Sequence, residues 1–218
     1  MIPAHALSLL PAQPDELCNP ARCALLIYDM QVGIVDQVPE GRQVLENVQH
    51  LLAAARDQGF PIFFTRHFFL PPRMAGIGQL RRSMIWQRQH DPSQLKPMLA
   101  HGSAEFQLVP ELEPHADEVI VDKIAMSAFE GTFLNVALRD AHIDSFIIAG
   151  IALEVGIEPT VRHALDLNYM PILASDACGA RTTELKRRSL DTLSQTGEVR
   201  ILSTAETITS MAAGASER

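Results

Sequence analysis

Two charged side chains stand where apolar runs stop, and both are of types that do chemistry. Asp29 closes the run Ala24 to Tyr28, and Lys123 follows the run Glu118 to Asp122. Taken singly, Asp29 reads as a turn or cap acid and Lys123 as a lysine snorkelling to the surface. At matching ends of two strands they would set a carboxylate beside an ammonium, each shifting the other's pKa, as happens at active sites and in structural bridges. A third element is Gly150-Ile-Ala-Leu-Glu-Val-Gly156, a turn from strand to helix. The start of that helix offers backbone N–H groups and the positive end of a dipole, which suit an anionic oxygen. It is not a dinucleotide fingerprint, because G-x-G-x-x-G spacing is absent, and no phosphate-binding P-loop word occurs.

These three points need a scaffold that brings strand ends together. Ala24 to Tyr28 is a continuous apolar run, as expected of a strand buried on both faces. Val44, Val48, Leu51, Leu52 and Ala55 recur at helical spacing, with Gly59 where a C-cap belongs. Pro61 to Thr65 reads as a second strand. Residues 66–114 form a long excursion rich in Arg, Gln, Met and Pro that holds the only tryptophan, Trp86, with one helix predicted near Gln79–Arg88. It is expected to pack over the site as a lid or against another subunit. Strands then recur at Glu118–Asp122, Ser145–Ala149, Met170–Ala174 and Val199–Leu202. Helices fall between them, one around Leu134 to Ala141 with Ser127 or Thr132 as its cap, one with Pro159 in its first turn, and one over Thr183–Ser194. Ser203 and Glu206 form a capping-box pair for a last helix. The alternation predicts an α/β fold of three layers, α-β-α, around a mainly parallel six-stranded, Rossmann-like sheet. Sites in such sheets lie at the carboxyl ends of the strands, where the strand order reverses.

The chain of 218 residues suits one domain with a sizeable core, preceded by an arm over residues 1–22. A net charge of -8 argues against nucleic acid or an anionic membrane as the main partner, though not against a small anionic substrate held by one local cation. Cys18, Cys23 and Cys178 make no CxxC pair, and no signal peptide or membrane span is legible, so a cytoplasmic protein is expected.

Three words carry a resemblance. Ala-Leu-Leu-Ile-Tyr-Asp-Met-Gln (24–31), Asp-Lys-Ile-Ala-Met-Ser-Ala-Phe-Glu-Gly-Thr (122–132) and Gly-Ile-Ala-Leu-Glu-Val-Gly-Ile-Glu-Pro-Thr (150–160) resemble, in order and spacing, the active-site segments of the isochorismatase-like hydrolases, also called the cysteine hydrolase superfamily. Asp-Ala-Cys (176–178) is similar to a fourth segment. The resemblance implies that Asp29 and Lys123 are two members of a catalytic triad whose third, usually cysteine, falls on Gly156. It also places a cis peptide at Ile151–Ala152 and an oxyanion hole at the backbone amides of Ala152 and Gly156. Glycine cannot attack a carbonyl, so the acyl-enzyme route is closed at this position. Cys178 follows another strand and Cys23 lies at the opposite end of the first, and both read as structural thiols.

True isochorismatases share the glycine, and hydrolyse a vinyl ether by giving a proton to carbon. The resemblance therefore implies a hydrolase without a covalent nucleophile, with Asp29 as general acid or base and Lys123 orienting it or holding a substrate carboxylate. Ala-Leu-Glu-Val-Gly departs from the Tyr-Ala-His-x-Gly of those enzymes, and Glu-Pro-Thr is nearer the cysteine-dependent branch. Two alternatives stay open, a catalytically impaired binding protein and a C–N hydrolase using activated water. The expected substrate contacts are Gln31, His67, Trp86, Phe129 and Glu154, with Arg66 a further wall residue. The Asp-x-His word of zinc-binding relatives is replaced by Thr65-Arg66-His67, so neither metal nor cofactor is expected. A homodimer or homotetramer is expected from the resemblance. Asp29, placed at a strand end, is expected to be removable without harm to the fold.

Overall fold

The computed structural model describes residues 14–216; residues 1–13 of the expected arm lie outside it. Six strands form one parallel sheet: β1 Cys23–Tyr28, β2 Ile62–His67, β3 Val119–Lys123, β4 Ser145–Ile151, β5 Met170–Gly179 and β6 Arg200–Leu202. Their order is β3-β2-β1-β4-β5-β6, so the chain runs outward from β1 on one side and then returns to continue on the other. The reversal lies between β1 and β4, which pair from Cys23↔Ser145 to Tyr28↔Gly150. A crevice at the carboxyl ends of these two strands follows from that order.

Alternation along β1 divides the core. Leu25 and Ile27 point to one face, where they join Val44, Val48, Leu51, Leu52 and Met211. Ala24, Leu26 and Tyr28 point to the other, with Leu134, Leu138, Ile157, Val161 and Leu193. All six residues of β1 are buried, as its apolar composition requires. The covering helices include α1 Pro14–Leu17, α2 Val32–Val35, α3 Gly41–Gln58, α4 Ile77–Trp86, α5 Leu134–Asp140, α6 Glu158–Asp166, α7 Thr183–Ser194 and α8 Thr204–Ala215. Gly59 ends α3 in a left-handed conformation, φ 73°, and the Ser203–Glu206 capping box opens α8. Pro159 lies in the first turn of α6.

Several boundaries differ from the sequence reading. β2 continues through Arg66 and His67, pairing with Asp122 and Lys123, so the excursion begins later than residue 66. β5 runs on to Gly179 and absorbs Asp176-Ala177-Cys178, with the β4–β5 register shifting between Ile148 and Gly150. α5 starts after Phe133, and Thr132 Oγ1 accepts a hydrogen bond from Leu134 N at 3.2 Å, one residue outside a regular cap. The excursion is tied back by isolated bridges Gln31↔Leu108 and Phe69↔Ala100. Its helix, α4, starts two residues earlier than predicted, after Gly76. Among the described residues, no helix is long and apolar enough to cross a membrane.

Candidate active site

Asp29 leaves β1 with φ 46°, a left-handed backbone that aspartate adopts more readily than most residues. Its backbone N–H donates to Thr65 Oγ1 at 3.1 Å, and the Thr65 hydroxyl donates back to Oδ1 at 2.5 Å. Lys123 Nζ, carried by β3, donates to Oδ2 at 2.7 Å and to the Ala125 carbonyl at 3.4 Å. The lysine side chain is 0% exposed and the aspartate side chain 6%. Burial drives the Asp29 carboxyl above its usual range, against the opposing pull of Lys123 and Thr65. Burial likewise lowers Lys123, with Asp29 acting against it. Both shifts favour the uncharged forms and so narrow the gap between the two proton affinities. So Asp29 and Lys123, distant in sequence, do meet, and Thr65 is a third partner. Its only sequence signal is a lone hydroxyl inside the apolar run of β2.

A cavity of about 860 Å³ opens over this pair. Its wall includes Tyr28, Asp29, Met126, Ala152 and Gly156 from the strand ends, and His67 from β2. Trp86, Arg88, Leu99 and Glu105 of the excursion also line it, as does Arg181. Lys123 stands behind Asp29 and does not border the cavity. Beyond β4, the Ile151–Ala152 peptide is cis. The amides of Val155, Gly156 and Ile157 all donate to the Ala152 carbonyl, at 3.3, 3.0 and 3.2 Å, in a turn that widens to an i→i−5 bond. The Gly156 N–H is therefore occupied, and of the two expected oxyanion donors only Ala152 is not committed in this turn.

His67 is 2% exposed, and neither ring nitrogen has a hydrogen-bond partner among the described residues. Buried polar atoms are seldom left this way, and here they border a cavity. Burial, reinforced by the charges of Lys123 and Arg82, holds its pKa well below the usual histidine value, against the nearby Ala125 carbonyl. That shift favours the neutral ring, which has one donor and one acceptor nitrogen. Phe69 meets it edge-on at 4.9 Å and Trp86 tilts over it at 6.2 Å.

The other expected contacts lie elsewhere. The Gln31 amide accepts from His67 N at 2.7 Å and donates to the carbonyls of His67 and Phe106 at 3.0 and 2.7 Å, so it clips the excursion to β2. Phe129 is buried in the core, stacked on Tyr169 at 5.5 Å. Glu154 Oε1 accepts from Arg181 Nε at 2.9 Å, and it is Arg181 that reaches the cavity. Arg66 forms a two-pronged bridge to Asp122 at 2.8 and 3.0 Å and faces Phe106. In each case the sequence gives a position near a strand end, while packing decides where the side chain points. Among the described residues no three His, Cys, Asp or Glu side chains are grouped as metal ligands.

The isochorismatase domain model matches residues 23–206. The chain is 31% identical to the ureidoacrylate amidohydrolase RutB of Pseudomonas syringae pv. syringae, over 77% of this chain and 75% of that protein. It is 28% identical to the RutB of Acinetobacter baylyi, over 84% and 81%. A solved cysteine hydrolase from Pseudomonas syringae pv. phaseolicola superposes with a TM-score of 0.77 at 26% identity, covering 90% of this chain and 95% of that one.

Proposed function

This chain belongs to the isochorismatase domain family, and from that premise we propose that it hydrolyses a C–N bond in a small ureido or amide compound carrying a carboxylate. The observation that carries this reading is the buried Asp29–Lys123 pair at the floor of an 860 Å³ cavity whose wall also bears a neutral, unpartnered histidine. The relatives named amidohydrolases support the bond class.

In this mechanism water attacks the carbonyl carbon. Asp29 takes its proton, and its raised pKa brings that base closer to working pH. Lys123 and Thr65 fix the carboxylate from behind and leave it facing the cavity. The Ala152 N–H meets the developing oxyanion. As the C–N bond breaks, Asp29 returns the proton to the leaving nitrogen. His67 offers a donor and an acceptor to a planar amide edge, with Trp86 beside it. Arg88 supplies positive charge for a carboxylate in a chain that is acidic overall, and the Arg181 guanidinium, held by Glu154 at 2.9 Å, offers its remaining N–H groups beside it.

A second reading rests on the same raised Asp29 pKa. A protonated Asp29 would deliver its proton to the carbon of a vinyl ether, and water would add to the resulting cation. Proton NMR of product formation on a panel of N-carbamoyl acids, ureido acids, simple amides and vinyl ethers separates the two. Turnover of the ureido and amide acids is expected. Turnover confined to vinyl ethers would transfer the assignment to the acid route, and none at all would leave a binding protein.

A further inference from the structure

Gly156 begins where β4 turns toward α6, and it has no room for a side chain. A Cβ built there would overlap the hydroxyl oxygen and Cζ of Tyr28 and come within 2.6 Å of the ring carbon Cε1. Real Cβ atoms do not approach that closely, so one residue must yield. Tyr28 is poorly placed to do so. It is 1% exposed, it packs in the core cluster with Leu153, Ile157 and Val161, and its hydroxyl donates to the Met126 carbonyl. Lys123 Nζ stands 4.2 Å from its ring centroid. β1 cannot slide away either, because Gly150, at φ 130°, passes against the Tyr28 backbone where any Cβ would collide. Tyr28, Asp29 and Gly156 all border the same cavity.

We propose that Tyr28 determines the mechanism of this site: it fills the volume in which a nucleophile carried by residue 156 would stand, and its hydroxyl oxygen there holds the attacking water. This rests on the hydrolytic reading above. The hydroxyl proton is committed to the Met126 carbonyl, so the oxygen's remaining capacity is as an acceptor, and in this role one lone pair takes the water. Water bound between Tyr28 and Asp29 gives one proton to the carboxylate and hydrogen-bonds to Oη through the other. Its own lone pair then faces the substrate carbon. The C–O bond forms, the C–N bond breaks, and the leaving nitrogen receives the proton from Asp29; Tyr28 is unchanged at the end. Burial, with the Asp29 charge beside it, raises the phenol's pKa well above its ordinary value against a hydrogen bond with the Thr160 hydroxyl, which keeps it neutral in this role.

The test has two arms. In the first, Gly156→Cys and the pair Tyr28→Ala with Gly156→Cys are treated with iodoacetamide under native conditions, and the label at position 156 is mapped by mass spectrometry. The single variant is expected to lose thermal stability or hide its thiol, and the double variant to label about tenfold faster or more. A single variant that melts like the wild type and labels as fast as the double one overturns the proposal. A single variant that fails to fold while the double one folds supports it. In the second arm, Tyr28→Phe keeps the ring and removes the oxygen. A fall in kcat of about tenfold to a hundredfold with KM within about twofold is expected; an unchanged kcat overturns the role in holding water. Absence of turnover in the wild type across the substrate panel would sink the hydrolytic reading, whereas the labelling, which needs no substrate, still decides whether Tyr28 owns the nucleophile's space.

Discussion

Replacing Lys123 with methionine removes the positive half of an ion pair whose side chains are 0% and 6% exposed, while keeping most of the lysine's volume. The stranded carboxylate keeps its bond from Thr65 but loses the ammonium at 2.7 Å. Removing one partner of a buried pair costs about 3–5 kcal/mol. For a chain of 218 residues, each kcal/mol lowers Tm by about 2–4 °C, so the variant should melt about 6–20 °C below the wild type at pH 7. The loss must also depend on pH with a definite sign. Asp29 is already raised above its ordinary value, and without Lys123 it must rise further. A carboxyl raised in the folded state helps folding below its unfolded pKa, and that help disappears as pH climbs through the folded pKa. The gap between variant and wild type is therefore smallest near pH 4 and widens toward pH 8. Asp29→Asn combined with Lys123→Met removes both charges of this pair and should recover most of the loss, because the two sites share one interaction. Melting curves followed by circular dichroism from pH 4 to 8 give all three quantities. A Lys123→Met protein with wild-type Tm and a pH-independent gap would refute the view that the ammonium balances a buried carboxylate.

Asp29→Asn should cut kcat/KM on ureido or amide acids by about 10²–10⁴-fold and abolish the ascending limb of the pH–rate profile, which in the wild type should lie above the ordinary carboxylate range; a preserved limb would remove Asp29 as the base. Arg88→Ala and Arg181→Ala should each raise KM for carboxylate substrates about tenfold and leave uncharged amides alone, as steady-state kinetics will show. Cys18, Cys23 and Cys178 are all buried, and burial pushes the Cys178 thiol up to about 12, so only about one part in 10⁴ is thiolate at pH 8. Native alkylation should leave turnover intact; rapid, substrate-protected inactivation traced to Cys178 would mean that a thiol does the chemistry after all. Incubation with a chelator should change neither turnover nor Tm, and stoichiometric zinc in protein purified without added metal would contradict this.

The sheet was legible because β1 and β4 are apolar on both faces, which leaves little choice but a parallel strand between helices. Asp29 and Lys123 were legible for a related reason, since polarity returns where each strand leaves the core. Direction and depth were not. Gln31, Phe129 and Glu154 lie within a few residues of strand ends, but tertiary packing turns them toward backbone carbonyls, an aromatic cluster and an arginine. Depth matters for Asp29 as well. A strand-end acid reads as dispensable to the fold, yet this one is enclosed, and Asp29→Ala would strand the Lys123 ammonium. Tyr28 was missed in the sequence, where its one signal is a phenol closing an apolar run beside the acid. Its meaning depends on β1 lying against β4 in a register that sets Tyr28 opposite Gly150 and brings its ring under Gly156, and no local pattern encodes that register.

The position of the ion pair makes sense as chemistry and poorly as stabilisation. Well-packed apolar residues in place of a buried pair often leave a protein as stable or more so, and here burial shifts both groups toward their neutral forms. Lys123 and Asp29 nevertheless lie together under a cavity at the one reversal of strand order. Burial that works against their charge also brings their proton affinities closer together, which suits the proton-handling role proposed for the pair. Tyr28 completes the argument from the other side. On the proposed reading, a rigid phenol in the space beside Gly156 leaves no side chain there to attack, so the bond must yield to water, with the Asp29 carboxylate and the Tyr28 hydroxyl beside each other on the wall of the same cavity.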